Sequence, residues 1–482
     1  MPEHEDRGPW RPEPQVGADT ANHHQAPADP IPVGSPPRRR GISRTGVVAG
    51  GALGLVALGV AGWLAVSQGL IPGLGGDGSS SAAGSAPDLA DSPDQLWTHT
   101  YLPRTGEVPM TDMRAAQERL LILTYPQHSD QQIEHALSAV DLRSGEELWE
   151  TSLDVSRHRS SDYWGEVGLK GFIDGAAVVA LSSFTYTSSD AEDIATVHLI
   201  DLADGTERQS AEIGGSVASF GDEAALVVIE GEVVSRLDPD DLTGERLWET
   251  RIVDALPSAY ATVRDDHVEV PTQDGSVYLD VVTGQEPAWF DGADTATSYS
   301  LVGGEVFRVE SGERGSYLEA LDADGGVRWS EDADGFITLE AADGALMMFA
   351  AEKDRGESTS RYNYLRRLDP QTGKDLWDEE LEATFDSVGS VVGDVFTLDS
   401  WRDSRSDLHD LDTGERVARL RESIHRTGDK TLYSLRDERL RAFDTEGQEL
   451  WSVRARGASA IVHAPGYLVT EDSVAGRLTR WG

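Results

Sequence analysis

The side chains of this sequence best suited to chemistry are its 85 acidic residues and 12 histidines, because it has no cysteine. Without Cys there is no disulfide, thiolate metal site, thiol nucleophile or lipid-acceptor position. The histidines fall at no metal-ligand spacing: His23 and His24 stand in a proline-rich tail, and His128 and His135 share one insertion. Asp322-Ala323-Asp324-Gly325 and Asp332-Ala333-Asp334-Gly335 look like pieces of a calcium loop, yet the remaining ligands and a closing Glu are missing. Such Asp-Gly runs form turns without any ion. Glycine-rich phosphate loops, a Gly-x-Ser-x-Gly elbow and kinase signatures are absent as well. The expectation is a protein with no metal, no cofactor and no catalytic residue, whose carboxylates serve structure.

Those carboxylates belong to a repeat. In Val140-Asp141-Leu142-Arg143-Ser144-Gly145-Glu146-Glu147-Leu148-Trp149 the Asp accepts hydrogen bonds from the turn after it, and Gly supplies the left-handed residue that reverses the chain. The Trp then lands on the returning strand, where its ring can be buried. The Asp/Gly pair recurs as Asp141/Gly145, Asp201/Gly205, Asp238/Gly244, Asp280/Gly284, Asp322/Gly325, Asp369/Gly373, Asp410/Gly414 and Asp444/Gly447. Six copies carry the aromatic, as Trp149, Trp248, Trp289, Trp329, Trp377 and Trp451; Gln209 and Ala418 hold its place in the others. Successive Asp residues lie 60, 37, 42, 42, 47, 41 and 34 apart, with β-type apolar runs between them. A period near forty of this kind indicates the blades of a β-propeller.

Leu368-Asp369-Pro370-Gln371-Thr372-Gly373-Lys374-Asp375-Leu376-Trp377 resembles the blade signature of the PQQ-like β-propeller repeat family, within the quinoprotein alcohol dehydrogenase-like superfamily. The likeness covers residues 94–482 and implies an all-β fold of four-stranded blades. That family includes quinone-dependent dehydrogenases, an outer-membrane assembly lipoprotein and non-catalytic ectodomains. The dehydrogenases hold their quinone with a metal ion and an Asp base, many beside a vicinal Cys pair that this chain cannot form. The resemblance therefore implies the membrane-anchored, non-catalytic type. Asp94-Gln95-Leu96-Trp97 reads as the last strand of a unit whose earlier strands stand at the C-terminus, Tyr467–Thr470 and Arg477–Trp481. Exchange of that N-terminal strand would close the ring and remove its open edges. Eight internal copies and this composite count as nine, while the family resemblance favours eight blades.

Residues 1–45 form a tail rich in Pro and charge, expected to be disordered and cytoplasmic. Arg38, Arg39, Arg40 and Arg44 precede residues 46–66, which carry no charge and are long enough to cross a bilayer as one helix. Arginines on the N-terminal side alone place that side in the cytoplasm and the propeller outside the cell membrane, on a retained signal-anchor rather than a cleaved signal. Gly46, Gly50, Gly54, Ala57, Ala61 and Ala65 draw a small-residue ridge along this helix, a surface suited to self-association. Residues 67–93 read as a flexible Gly/Ser linker.

Net charge is −44, which repels nucleic acid. Unit length varies mainly at 125–135, 152–164, 184–196, 351–363 and 400–407, which by strand counting all fall on the face opposite the Asp-Gly turns. Insertions gathered on one face of a repeat array usually mark its binding surface. Tyr125, Tyr163, Trp164, Tyr186, Trp401 and Arg402 in these stretches are the candidate ligand-binding residues. The functional expectation is an extracytoplasmic module binding an envelope protein or glycan; the alternative is an envelope enzyme, glycan-acting or quinone-dependent.

Overall fold

Leu120, Leu121, Ile122 and Leu123 run together without polar alternation because both faces of their strand are covered. Leu121 and Leu123 pack with Leu169, Phe172 and Val179 of the next sheet in the chain. Leu120 and Ile122 pack with Val462, Val469 and Leu478 of the last. The computed structural model describes residues 85–482 except 102–109, 126–134, 154–163, 185–193, 221–224, 256–260, 265, 293–296, 303, 313–314, 334–335, 343–344, 352–361, 386 and 401–403.

Within those residues the chain forms nine four-stranded sheets, the blades of an all-β propeller. Blade 1 shows the plan: strands A to D are Met110–Ala116, Arg119–Tyr125, Ala136–Asp141 and Glu147–Ser152, each antiparallel to the one before. Blades 2 to 8 span 164–214, 216–251, 262–280, 297–333, 336–385, 387–420 and 426–454. Blade 9 joins Ala460–Val462, Leu468–Asp472 and Arg477–Trp481 to Gln95–Thr100, its outermost strand. There Thr98 pairs with Thr479, and Asp94 and Gly482 exchange backbone hydrogen bonds of 3.1 and 3.2 Å. Nine blades correct the expected eight. Residues 110–152 fold as a complete blade, so every internal repeat counts and the composite adds one.

The repeat residues act between blades. Gly145, Gly205, Gly284, Gly325, Gly373, Gly414 and Gly447 all sit at φ of 68–82°, where a side chain is strained. A Cβ on Gly145 would strike the Trp97 ring, on Gly205 Trp149, on Gly284 Trp248, on Gly373 Trp329 and on Gly414 Trp377. Each of these rings thus lies on the turn of the following blade. Its indole N–H donates to the carbonyl of the residue after that blade's motif Asp: Leu142, Leu202, Val281, Pro370 and Leu411, at 2.9–3.2 Å. Where Gln209 replaces Trp, its Nε2 donates to the carbonyls of Pro239 and Asp240, and its Oε1 accepts from Leu242 N.

Gly244 corrects the expectation that every repeat glycine is left-handed: it does not adopt a positive φ and meets no Trp ring. Its turn is longer than the others and reverses in two steps. Asp241 N donates to Asp238 O at 3.1 Å, and Gly244 N then donates to Asp241 O at 3.0 Å. Two successive tight turns spread the reversal, so no single residue has to enter the left-handed region. A Cβ at 244 would meet the Asp241 carboxylate, which would have to move aside.

Blade 4 departs from the plan. Its fourth strand is Ser219–Phe220, which leaves the inner strand of blade 3 and runs parallel to Thr262–Arg264. Pro287, without an N–H to give a ladder, stands where an outer strand would form. Trp289 packs instead among His267, Tyr278, Phe290 and Tyr299.

Residues 85–93 correct the linker boundary, for they are seated rather than flexible. Ala86 is buried and its N–H donates to Thr427 O at 2.8 Å; Tyr433 Oη donates to Pro87 O and accepts from Leu89 N. Trp451 Nε1 donates to Leu89 O at 2.6 Å, so this segment stands in for the Asp-Gly turn that blade 9 lacks. The tail 1–45, the expected span 46–66 and linker residues 67–84 lie outside the described residues. Among those described, no helix is long and apolar enough to cross a membrane.

Candidate ligand-binding surface

The strand order gives the ring two unlike rims. A–B and C–D turns share one, B–C turns and D–A crossovers the other. On the first rim the Asp-Gly turns are built around their carboxylates. Asp141 Oδ1 accepts from Arg143 N, Ser144 N and Ser144 Oγ at 2.7–2.9 Å. The Ser144 N–H above all holds Asp141 below the ordinary carboxylate range, and hydroxyl donors do the same for Asp280, Asp369 and Asp410. Asp322 Oδ1 accepts from Asp324 N and Gly326 N, which accounts for one Asp-Ala-Asp-Gly run as a turn. Asp332 lies in the outer strand of blade 5, while Asp334 and Gly335 lie outside the described residues. Among the described residues no group of three or more His, Asp or Glu is placed to hold a metal ion.

On the second rim, the B–C connections of blades 1, 2, 6 and 7 and the crossover from blade 1 to blade 2 contain the expected insertions. Tyr163, Tyr186, Trp401 and Arg402 lie in them, outside the described residues. Trp164 opens the inner strand of blade 2, in register with Phe184. Tyr125 ends strand B of blade 1 opposite Met110 and is half-buried against the cluster between blades 1 and 2. Its ring is therefore partly scaffold.

The same rim leads to a groove of about 310 Å³ between blades 8 and 9. Its walls include Arg454 at the end of the outer strand of blade 8, Arg456 from the crossover, Asp472 and Arg477 beside the B–C turn of blade 9, and Thr98 from the N-terminal strand. Asp472 is the framework: Oδ1 accepts from Ala475 N at 2.9 Å, and Oδ2 accepts from Arg477 Nη2 at 2.8 Å. The same Nη2 donates to Arg456 O at 2.9 Å, fixing the crossover backbone. Gly457, at φ 76°, lets that backbone lie directly on the Asp472 carboxylate, where a Cβ would collide. Three guanidinium groups thus share the groove with one carboxylate whose two oxygens are both engaged. The result is positive charge and hydrogen-bond donors, with no poised base. Sequence reading missed this groove. Arg454-Ala-Arg456 is visible in the chain, but only ring closure brings Arg477 and Thr98 beside it.

Elsewhere between these blades, Arg426 on the inner strand of blade 8 donates to His463 Nδ1, just past the inner strand of blade 9. Burial pushes the Arg426 guanidinium down to about 10, and burial with the adjacent Arg426 charge pushes His463 down to about 4. A smaller recess of about 100 Å³ between blades 6 and 7 holds Glu379, Asp407, His409 and Arg416. Its Asp407 is clamped by Arg419 at 2.8 and 2.7 Å.

The family model for outer membrane protein assembly factor BamB matches residues 230–398, across the joints of blades 3 to 7. The matched residues carry the PQQ-like β-propeller repeat. No curated protein matches it. Among solved structures, BamB from Moraxella catarrhalis is similar to this propeller at 14% identity over 81% of this chain and 99% of that one, with a TM-score of 0.38. The quinohemoprotein alcohol dehydrogenase ADHIIG from Pseudomonas putida HK5 gives 12% over 86% and 81%, with 0.39. The dihydro-heme d1 dehydrogenase NirN gives 16% over 77% and 80%, with 0.41. The strand pairing itself establishes the propeller fold.

Proposed function

We propose that this protein is a non-catalytic, single-pass membrane-anchored module that binds an envelope protein or glycan through its insertion-bearing rim. Residues 1–45 would lie in the cytoplasm, 46–66 in the membrane and the propeller outside. One observation supports the choice of rim: the segment that begins at Ser85 is seated on A–B turns, on the other rim. Gly466 N donates to Ser85 O at 2.8 Å, Ser85 Oγ to Asp429 Oδ1 at 2.9 Å, and Lys430 N to Asp88 Oδ1 at 2.8 Å. All three contacts lie on the Asp-Gly rim. The rim that bears the insertions is the one this segment leaves uncovered. The family-model match to an assembly factor of the outer membrane agrees with a partner in the envelope.

Capture of envelope components by the full-length chain in detergent, with Tyr186→Ala and Trp401→Ala variants alongside, tests this. Hot-spot aromatics cost about 2 kcal/mol or more of affinity while surface changes move stability by only about 0.5 kcal/mol. At least one variant should lose the partner with its melting temperature unchanged. Full capture by both, with cross-links mapping to the Asp-Gly rim, would overturn the reading.

A further inference from the structure

The groove between blades 8 and 9 shows a feature that partner binding on the insertions does not require. In a chain of net charge −44 it gathers Arg454, Arg456 and Arg477 around a single carboxylate, which Arg477 already neutralises. Among the described residues Arg454 pairs with the exposed Glu438, at 3.5 Å with the two side chains 62% and 50% exposed, a pairing that solvent weakens. The Arg456 guanidinium has no hydrogen-bond or ion-pair partner among the described residues, though its backbone is held by Arg477. Hydroxyls line the floor. Thr98 Oγ1 accepts from Gln95 Nε2 at 2.5 Å and Thr470 Oγ1 from Trp481 Nε1 at 3.0 Å, leaving each O–H to donate. Fixed backbone, forked cations and donor hydroxyls around about 310 Å³ suit an acceptor-only group bearing negative charge.

We propose that this groove is a binding site for a small oxyanion, the carboxylate or phosphate group of a ligand, gripped by Arg454 and Arg456 above Thr98 and Thr470. The site exists only in the closed ring, because Thr98 and Gln95 come from the N-terminal strand and the arginines from the C-terminal blades. It is independent of what occupies the insertions.

Calorimetric titration of the full-length chain at low ionic strength, with sodium phosphate in one arm and sodium succinate in the other, tests it. Saturable binding in one arm identifies which oxyanion the groove takes. Removing one charge-assisted fork costs about tenfold or more in affinity, so Arg456→Ala should weaken binding by that factor. Arg456→Lys should recover part of the loss by keeping charge without the planar fork. Added NaCl should weaken binding through screening. Arg251→Ala, which removes an exposed arginine on blade 3, should leave the titration unchanged. Silence in both arms, or equal losses in Arg456→Ala and Arg251→Ala, would overturn the proposal. The insertion variants Tyr186→Ala and Trp401→Ala should bind the anion normally, so this site and the partner rim fail or stand separately.

Discussion

The joint between blades 6 and 7 and the joint between blades 7 and 8 solve one problem with opposite chemistry. At the first, Trp377 is buried, stacks on Phe396 at 5.9 Å and 9°, and donates to Leu411 O at 2.9 Å. Apolar area and one satisfied N–H hold the blades together. At the second, Ala418 stands where Trp would be, against Gly447. Beside its apolar cluster runs a polar network: Ser406 Oγ donates to Asp399 and accepts from Ile424 N, while Glu422 accepts from Ser434 Oγ and from Arg441 Nη1. Both joints are closed, but the second lacks the indole and runs its buried carboxylates Asp399 and Glu422 into hydrogen bonds beside the apolar cluster. The difference teaches that the repeat tolerates loss of its Trp: Ala418, Leu420 and Leu408 stand against Gly447 where the ring would lie, and Gln209 bonds the next turn at the other exception.

A third kind of joint closes the ring, and breaking it should have the largest effect. Deleting Asp94–Thr100 removes the outer strand of blade 9 and Trp97, whose N–H reaches Leu142 O beside Arg480. The half-buried Trp97 and the strand's ladder to Arg477–Trp481 go together, against a total domain stability of about 5–15 kcal/mol. The shortened chain should aggregate or melt far below the parent, and an unchanged melting temperature would show that the remaining joints hold the ring unaided.

Next in size comes the Trp joint itself. Trp377→Ala should cost about 3–5 kcal/mol, since it empties a stacked, buried site whose neighbours collapse only in part. Chemical denaturation reads it directly. A loss below about 1 kcal/mol, the level of an ordinary substitution, would mean that Phe396 and the Gly414 turn close without the ring.

The Asp-Gly-Trp period made the blades legible because turn chemistry is local: an Asp accepting from the next three residues, and a Gly at positive φ, are written in the few residues they use. Gly244 marks the limit of that reading, since two extra residues after Asp238 change the turn while leaving the Asp, Gly and Trp in order. Strand exchange was legible because Trp97 carries half of a known unit. Blade number was not, because the repeat count pointed to nine while the family likeness pointed to eight. The seating of Ala86 and Leu89 was hidden too, since small residues between Ser and Pro look like linker until Trp451 and Tyr433 meet them. Of the candidate site, the rim assignment follows from strand counting, whereas Tyr125 proved partly scaffold. The arginine groove needed ring closure before its members became neighbours.

The smallest effect sharpens the contrast with which the two joints began. Asp399 is buried in blade 7, and burial pushes its carboxyl up to about 6, against the opposing pull of the hydrogen bond from Ser406. A carboxyl whose folded value is raised favours the native state while protonated. Its contribution is complete below the unfolded value near 3.8 and is lost as pH rises through about 6. At pH 7 the ring therefore carries a buried charge that an amide would not. Asp399→Asn keeps Oδ1 to accept from Ser406, so the link to Ile424 N survives. The variant should be more stable than the parent at pH 7, by up to about 3 kcal/mol from the size of the shift. That advantage should shrink between pH 6 and 4 and vanish below it, where both side chains are neutral. Melting the two proteins side by side across that range cancels the titration of the other carboxylates. An advantage that is flat with pH, or a loss at pH 7, would show that the ionised Asp399 is the form the polar joint needs.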